Sequence, residues 1–138
     1  VSSSVDDAES QFAKRLVTGL AAEKYFEAVR ANIPEFRSCS LRNTTHLGCG
    51  YDFRLQPEPT GSFLAVEVKG MKARTGPVSF TNKEYEVAAA MKERYFLFVV
   101  TNFQELPSHQ VIQNPLSSRL TFARVERMVV EVSWRADI

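Results

Sequence analysis

Histidine, cysteine and tryptophan are scarce in this chain of 138 residues, which has two histidines, two cysteines and one tryptophan. Two cysteines cannot form the multiple-disulfide framework of small secreted domains. A zinc site would need Cys39, His46 and Cys49 together, and their spacing matches no common ligand pattern. We therefore expect Cys39 and Cys49 to be packing residues, with a disulfide between them as the alternative.

Long apolar runs and a strong charge of one sign are also missing. No stretch approaches the roughly 20 apolar residues of a membrane-spanning helix, and no signal peptide is visible. We therefore expect no membrane partner and an intracellular location. The net charge of +1 neither requires nor excludes nucleic acid, because an acidic site can offset a basic surface.

What the chain does contain is typical of one globular domain. Its composition is 44% hydrophobic and 24% charged, which suits a domain with a buried core. It begins at Val1 with a Ser-rich segment instead of Met. We expect a single domain over residues 1–138, excised from a longer multidomain protein and flexible over residues 1–8.

Hydrophobic periodicity predicts an α/β fold. Apolar residues spaced by three and four, including Phe12, Leu16, Leu20 and Phe26, predict a helix over residues 7–31. A second helix is predicted over residues 81–93, where Thr81 and Glu84 have the spacing of a capping box. Because this helix joins two strands, those strands should run parallel. The predicted strands cover residues 37–42, 51–55, 63–69, 95–101 and 128–134, and residues 106–120, which contain two prolines, are predicted as a loop.

Charged residues in the predicted strands are the strongest functional signal. Glu67 and Lys69 lie two positions apart in an apolar strand, so their side chains share one face. Such charges need a partner, a solvated cleft or a bound ion. With Asp52 in the preceding strand, they form the two acids and one lysine that metal-dependent phosphodiesterases use. A buried ion-pair network without metal is the alternative. Glu23 adds a carboxylate to the apolar face of the first helix.

Five sequence elements carry a resemblance to a known family. They are Gly50-Tyr51-Asp52, Glu67-Val68-Lys69-Gly70, Thr81-Asn82-Lys83-Glu84, Tyr95–Val100 and Val111-Ile112-Gln113-Asn114-Pro115. In this order they resemble the restriction-endonuclease-like superfamily, whose signature is a carboxylate followed by Asp/Glu-x-Lys. More narrowly, the chain looks like the nuclease-like domain named after the NO VEIN C-terminal region. Tyr51 stands where the superfamily motif usually has proline.

The resemblance implies a three-layer α/β/α restriction-endonuclease-like sandwich with a central mixed sheet. It implies a Mg²⁺-dependent DNA endonuclease, with Mn²⁺ as a substitute, in a restriction, defence or helicase-linked protein. Asp52 and Glu67 would hold the metal, helped by the backbone carbonyl of Val68. Lys69 would orient the attacking water or stabilise charge on phosphorus. Glu23 would bind a second metal or orient Lys69.

Basic residues near these motifs are candidate DNA contacts. Lys72 and Arg74 follow the third strand and Lys83 lies at the start of the second helix, and each could equally be a solvated surface residue. His46 could be a general base or a DNA contact, although a turn histidine is more often neither. Glu84 is better explained by helix capping than by catalysis. Trp134, Phe96 and Phe98 are expected in the core.

Two other functions share this sequence pattern. One is a non-catalytic module that binds nucleic acid or protein, and the other is an RNA-directed nuclease with the same site residues. Expected partners are DNA and other domains of the parent protein, including a helicase or ATPase. A homodimer that cuts two strands is a further alternative.

Overall fold

A mixed five-stranded sheet and two helices make up the fold. The computed structural model describes residues 3–57 and 61–138, and side chains of the first helix from Ala13 onward. The first helix, α1, covers Ser3–Val29, and α2 covers Asn82–Met91. The strands are β1 Cys39–Asn43, β2 Phe53–Pro57, β3 Leu64–Gly70, β4 Tyr95–Thr101 and β5 Ser108–Gln113. Single turns of 3-10 helix lie at Arg30–Asn32, Lys92–Arg94 and Pro115–Ser117.

The strands follow one another across the sheet in chain order. The pairs β1–β2, β2–β3 and β4–β5 are antiparallel, whereas β3 and β4 are parallel and are joined through α2. Every residue of β4 is buried, as its unbroken apolar sequence predicts for a central strand. The predicted α/β fold with a mixed sheet, and the parallel pair around the second helix, are confirmed.

The two helices contact opposite faces of the sheet. Val66 and Val68 of β3 belong to a buried cluster that includes Ala22 and Phe26 of α1. Ala65 belongs to a second cluster, with Ala88 of α2 and Tyr95 of β4. Since side chains alternate along a strand, Glu67 and Lys69 point to the same side as Ala65. The charged pair therefore lies on the α2 side of the sheet.

Glycines allow both helices to approach the strands near this pair. A Cβ atom on Gly70 would lie 2.8 Å from Cβ of Ala22 and 3.0 Å from the carbonyl oxygen of Thr18 in α1. A Cβ atom on Gly50 would lie 2.7 Å from Cγ2 of Val87 in α2, and Gly50 also has a φ of +91°. Only glycine fits both positions without displacing a helix.

The first helix is longer and less covered than the sequence predicts. It begins at Ser3, and Phe26 is buried as expected. Leu16 and Leu20, predicted to face the core, are 56% and 50% exposed. The small residue Ala22 of α1 is fully buried and lies against Gly70 of β3. The side chain of Phe12 lies outside the described part of the helix.

The predicted last strand is wrong. Residues 128–134 form no strand, and Trp134, expected in the core, is 95% exposed. The strand next to β4 is instead formed by Ser108–Gln113, within the segment predicted as a loop. Pro107 and Pro115 lie just outside this strand, where their missing N–H groups cost no sheet hydrogen bond. A six-residue connection from β4 makes this pairing more accessible than one with a distant segment.

Candidate functional site

Asp52 lies where strands β2 and β3 separate. Their regular pairing ends at Phe53 and Val66, and the N–H of Asp52 donates to the Val66 carbonyl at 3.0 Å. Two residues after Val66 in β3, the N–H of Val68 donates a hydrogen bond to Oδ2 of Asp52 at 2.8 Å. Both backbone groups of a strand residue point to the same side. The carbonyl of Val68 therefore faces the gap beside Asp52.

Lys69 is held between two carboxylates. Its Nζ atom lies 3.0 Å from Oε2 of Glu67 and 2.9 Å from Oε1 of Glu84. The side chain of Glu67 is only 4% exposed, and that of Lys69 is 23% exposed. Burial lowers the pKa of Lys69, but the charges and hydrogen bonds of Glu67 and Glu84 outweigh it and raise this pKa above its usual value. The lysine is therefore fully charged at neutral pH.

Glu84 has two roles, of which the sequence predicted one. The predicted capping box is confirmed: Oε1 of Glu84 accepts from the N–H of Thr81 at 2.9 Å, and the Thr81 hydroxyl accepts from the N–H of Glu84. The same Oε1 atom accepts from Lys69. Burial raises the pKa of Glu84, but the hydrogen bonds from Lys69 and Thr81 hold it below its usual value. Glu84, at the start of α2, therefore fixes the position of the Lys69 ammonium group of β3.

Glu67 carries the least satisfied charge in the site. Its Oε2 atom pairs with Lys69, but its Oε1 atom is buried and has no hydrogen-bond partner among the described residues. Burial, followed by repulsion from Asp52, raises the pKa of Glu67 to about 9, although Lys69 opposes this shift. A buried carboxylate oxygen without a partner is costly unless a proton or a cation supplies one.

The other two acids lie in the same electrostatic cluster. Burial raises the pKa of Asp52, and the hydrogen bond from Val68 and the charge of Lys69 offset this only in part. Burial also raises the pKa of Glu23, followed by repulsion from Asp52 and from Glu27. The half-buried Glu23 on α1 is therefore close enough to Asp52 to share its field.

A cleft of about 260 Å³ opens over these carboxylates. Its lining includes Asp52, Glu67 and Glu84, together with the turn around Gly50 and the Lys83 side of α2. The hydroxyl of the buried Tyr95 donates to the carbonyl of Gly50 at 2.8 Å and so fixes this turn. A solvent-filled cleft beside an incompletely paired acid is suited to a hard cation or a polar ligand.

The sequence of the chain matches one known protein family over most of its length. The family described as "Protein NO VEIN, C-terminal" matches residues 21–113. The chain belongs to this family. The matched region includes Glu23, Asp52, Glu67, Lys69 and Glu84, and it ends with strand β5. No curated protein and no solved structure matches the chain.

The NO VEIN C-terminal domain brings only some of the predicted site residues together. Asp52, Glu67, Lys69 and Glu23 form one cluster, and Lys83 lines the cleft. Lys72 and Arg74 lie on the exposed loop after β3 and do not line the cleft.

The structure also shows where Arg74, His46 and the two cysteines lie relative to the cleft. Arg74 pairs with Glu105 at 3.4 Å, and the exposed His46 does not line the cleft. Cys39 and Cys49 are not joined in a disulfide, so the disulfide alternative is wrong. Over residues 3–57 and 61–138, no group of three or more His, Cys, Asp or Glu side chains is arranged to hold a metal ion. No helix in the described chain has the length and apolarity needed to cross a membrane.

Proposed function

We propose that this NO VEIN C-terminal domain is a metal-dependent endonuclease that hydrolyses DNA phosphodiester bonds. The observation that carries the proposal is the unpaired Oε1 atom of Glu67, buried beside Asp52 at the base of a cleft. A site whose acids were all satisfied internally would have no need of a ligand. Here one acidic oxygen lacks a partner, and a neighbouring lysine is held within 3.0 Å of the same carboxylate.

The fold proposed for this activity is the three-layer α/β/α restriction-endonuclease-like sandwich. Helices on opposite faces of a mixed sheet support it. The position of the acids supports it as well, because Asp52 lies at the start of β2, next to Glu67 and Lys69 in the second half of β3. Fold alone does not establish an activity, so the proposal depends on the residues of the site.

The donor set fits Mg²⁺ or Mn²⁺. Hard divalent cations prefer carboxylate and carbonyl oxygens, and Asp52, Glu67 and the carbonyl of Val68 would supply them. This set contains two carboxylates, with water and phosphate oxygens to complete the coordination. When bound, the ion would polarise the phosphodiester and lower the pKa of a water molecule. A cation would also supply the partner that Oε1 of Glu67 lacks.

The protein's own residues have separate roles in this proposal. Lys69, kept charged by its two carboxylate neighbours, would place an ammonium group against the negative charge that develops on the phosphate. Asp52 would keep the gap between β2 and β3 open, because its side chain replaces a backbone acceptor. Glu23 would hold the outer side of the cluster, through water or a second ion.

The wider setting is proposed from the resemblance. Such domains occur in restriction, defence or helicase-linked proteins, so partners would be DNA and further domains of a parent protein, with a homodimer as an alternative. An RNA substrate would use the same residues. The proposed location is intracellular.

A non-catalytic binding module is the second candidate, and one observation favours it. The ammonium of Lys69 is already neutralised by Glu84 and also lies 3.0 Å from Oε2 of Glu67, as in a structural network. In that case Glu67 would simply be protonated, which its raised pKa of about 9 permits at neutral pH. Binding of Mn²⁺ distinguishes the two candidates, because a protonated structural acid needs no cation.

The test is cleavage of supercoiled plasmid DNA with Mg²⁺, with Mn²⁺ or with EDTA. We expect metal-dependent nicking by the unaltered domain and none by Lys69→Ala. Lys24→Ala is the matched control, because Lys24 is an exposed lysine on α1. It should cut as the unaltered protein does.

Three results would count against the nuclease. Equal cutting by Lys69→Ala would indicate a contaminant. Cutting of RNA but not of DNA would change the substrate class. Absence of cutting, together with no Mn²⁺-induced rise in melting temperature, would favour the binding module.

A further inference from the structure

A group of arginines lies on the same face of the sheet as the carboxylates, towards the β1 edge. Phe53 and Leu55 of β2 are buried against α1, so Arg54 between them points to the opposite side. Arg42 of β1 is the register partner of Arg54. Its neighbour Leu41 packs on the α1 side, so Arg42 also points to the α2 side.

The ring of Phe63 organises two guanidinium groups. The Cζ atom of Arg54 lies 4.0 Å from the ring centroid, and that of Arg94 lies 5.5 Å from it. Arg94 also donates from Nη1 to the carbonyl of Phe63 at 3.2 Å. Stacking on an aromatic ring orients a guanidinium without neutralising its charge. Most of the hydrogen-bond donors of these arginines therefore remain available.

None of these three arginines forms an ion pair with an acid among the described residues. Ion pairs in the described part of the chain involve Lys69, Arg74, Arg124 and Arg135, and none involves Arg42, Arg54 or Arg94. Like charges at directly opposite positions of two strands are destabilising. A surface with this cost and with no ion pair among the described residues is suited to an external anion.

The arginines adjoin the cleft. The Tyr51 ring lies 6.0 Å from the Phe63 ring, centroid to centroid, and Tyr51 also lines the cleft that holds Asp52. Arg54 and Asp52 are two residues apart on neighbouring positions of one face, so roughly 7 Å separates their Cα atoms. An anion bound by the arginines would therefore extend towards the carboxylates.

We propose that Arg42, Arg54 and Arg94 form a tract that binds the phosphate backbone of a nucleic-acid strand and leads it into the cleft. The proposal rests on the proposed nuclease function and adds the path of the substrate. Arginine is suited to this task because its planar fork binds phosphate oxygens in pairs. Repeated phosphates are favoured over a lipid surface because the tract continues into a concave acidic cleft.

The test is fluorescence anisotropy with a short labelled DNA duplex and its single strand, in EDTA so that no cutting occurs. Arg42→Ala is the main variant, because Arg42 is exposed and its loss should not disturb folding. We expect it to weaken binding by about threefold and to reduce the salt-dependence slope by about one. Arg42→Lys should retain the slope. Lys24→Ala, with the same change in charge on α1, should bind normally.

The Arg54→Ala variant and a comparison with lipid vesicles complete the test. Arg54→Ala should weaken binding by a similar factor, with melting temperature as the check on folding. Unaltered binding in both arginine variants, or no DNA binding by the unaltered domain, would overturn the tract. Binding to phosphatidylserine vesicles in preference to DNA would also overturn it, in favour of a membrane surface.

The outcome is separate from that of the nuclease proposal. Arginine-dependent binding by a domain that never cuts would retain the tract and reject catalysis. Metal-dependent cutting with arginine-independent binding would retain catalysis and reject the tract.

Discussion

Oδ2 of Asp52 accepts a hydrogen bond from the N–H of Val68 at 2.8 Å, at the position where a longer β2 would have supplied a backbone carbonyl. The side chain therefore serves the sheet and the cleft together. It satisfies a strand N–H, and it places a carboxylate beside Glu67, where repulsion between the acids contributes to the raised pKa of Glu67. A single residue thus couples the end of a strand pair to the charge state of the site.

Two substitutions of Asp52 should separate these roles. Asp52→Asn retains an acceptor oxygen for Val68, so its stability should stay near that of the unaltered domain. Asp52→Ala leaves that N–H without a partner and should cost about 1–3 kcal/mol in urea unfolding. Both should lose more than about 100-fold in plasmid cleavage. Equal stability of the two variants would deny the hydrogen bond any net contribution.

Glu67 should make stability depend on pH. Its pKa is about 9 in the folded protein, against an ordinary value of 4.5. Between these values the unfolded chain has lost a proton that the folded protein retains. The free energy of unfolding should therefore fall as pH rises through this window and level off above about pH 9. Urea unfolding at pH 6, 7.5 and 9 measures this trend.

Glu67→Gln is the control for the pH dependence, because glutamine has a similar shape and does not titrate. Its stability should vary much less between pH 6 and 9. Glu84 and Lys69 contribute little slope there, because the pKa of Glu84 is lowered and that of Lys69 is raised, away from the window. An equally steep decline in Glu67→Gln would assign the proton to another group.

The two roles of Glu84 should be separable in the same way. Thr81→Ala removes the hydroxyl half of the capping box and should cost about 1 kcal/mol with little loss of activity. Glu84→Ala removes the other half and also one of the two carboxylates that hold Lys69, so it should lose activity as well as stability. Glu84→Gln, which retains an acceptor for both donors, should recover part of each. Activity in Glu84→Ala equal to that of Thr81→Ala would limit Glu84 to capping.

Gly70→Ala should destabilise the domain through α1. The new Cβ atom would meet Cβ of Ala22 at 2.8 Å and the Thr18 carbonyl at 3.0 Å, and the helix would have to move. Overpacking of this kind typically costs about 1–3 kcal/mol. Adding Ala22→Gly should restore part of the loss. Gly76→Ala is the control, because its nearest contact would be the flexible Met71 side chain at 3.4 Å.

The sequence predicts secondary structure best where the deciding residues lie close together in the chain. The apolar run of β4, the alternation of side-chain faces in β3 and the capping box of α2 each depend on neighbours within a few residues, and all three are confirmed. The predicted edge strand failed because it depends on a partner. Residues 128–134 have strand-forming composition, but β5 already occupies the free edge of β4. Sequence alone does not show which segment reaches that edge first.

Some features of the candidate site likewise follow from the sequence, and others follow only from the tertiary structure. The sequence by itself determined which acids and which lysine are present, and strand alternation placed Glu67 and Lys69 on one face. Only the tertiary structure decided that Glu84, fifteen positions beyond Lys69, accepts from the same ammonium group, and that Oε1 of Glu67 has no partner.

The physical reason is the range of the forces that fix each feature. Backbone periodicity is local, so the sequence pattern records it. Distances between charges on different elements depend on how closely helices and strands pack, which here is set by contacts at Gly50 and Gly70. The cross-strand pairing of Arg42 with Arg54, and the approach of Arg54 to Phe63, depend on sheet register as well. Such distances exist only once the sheet has formed.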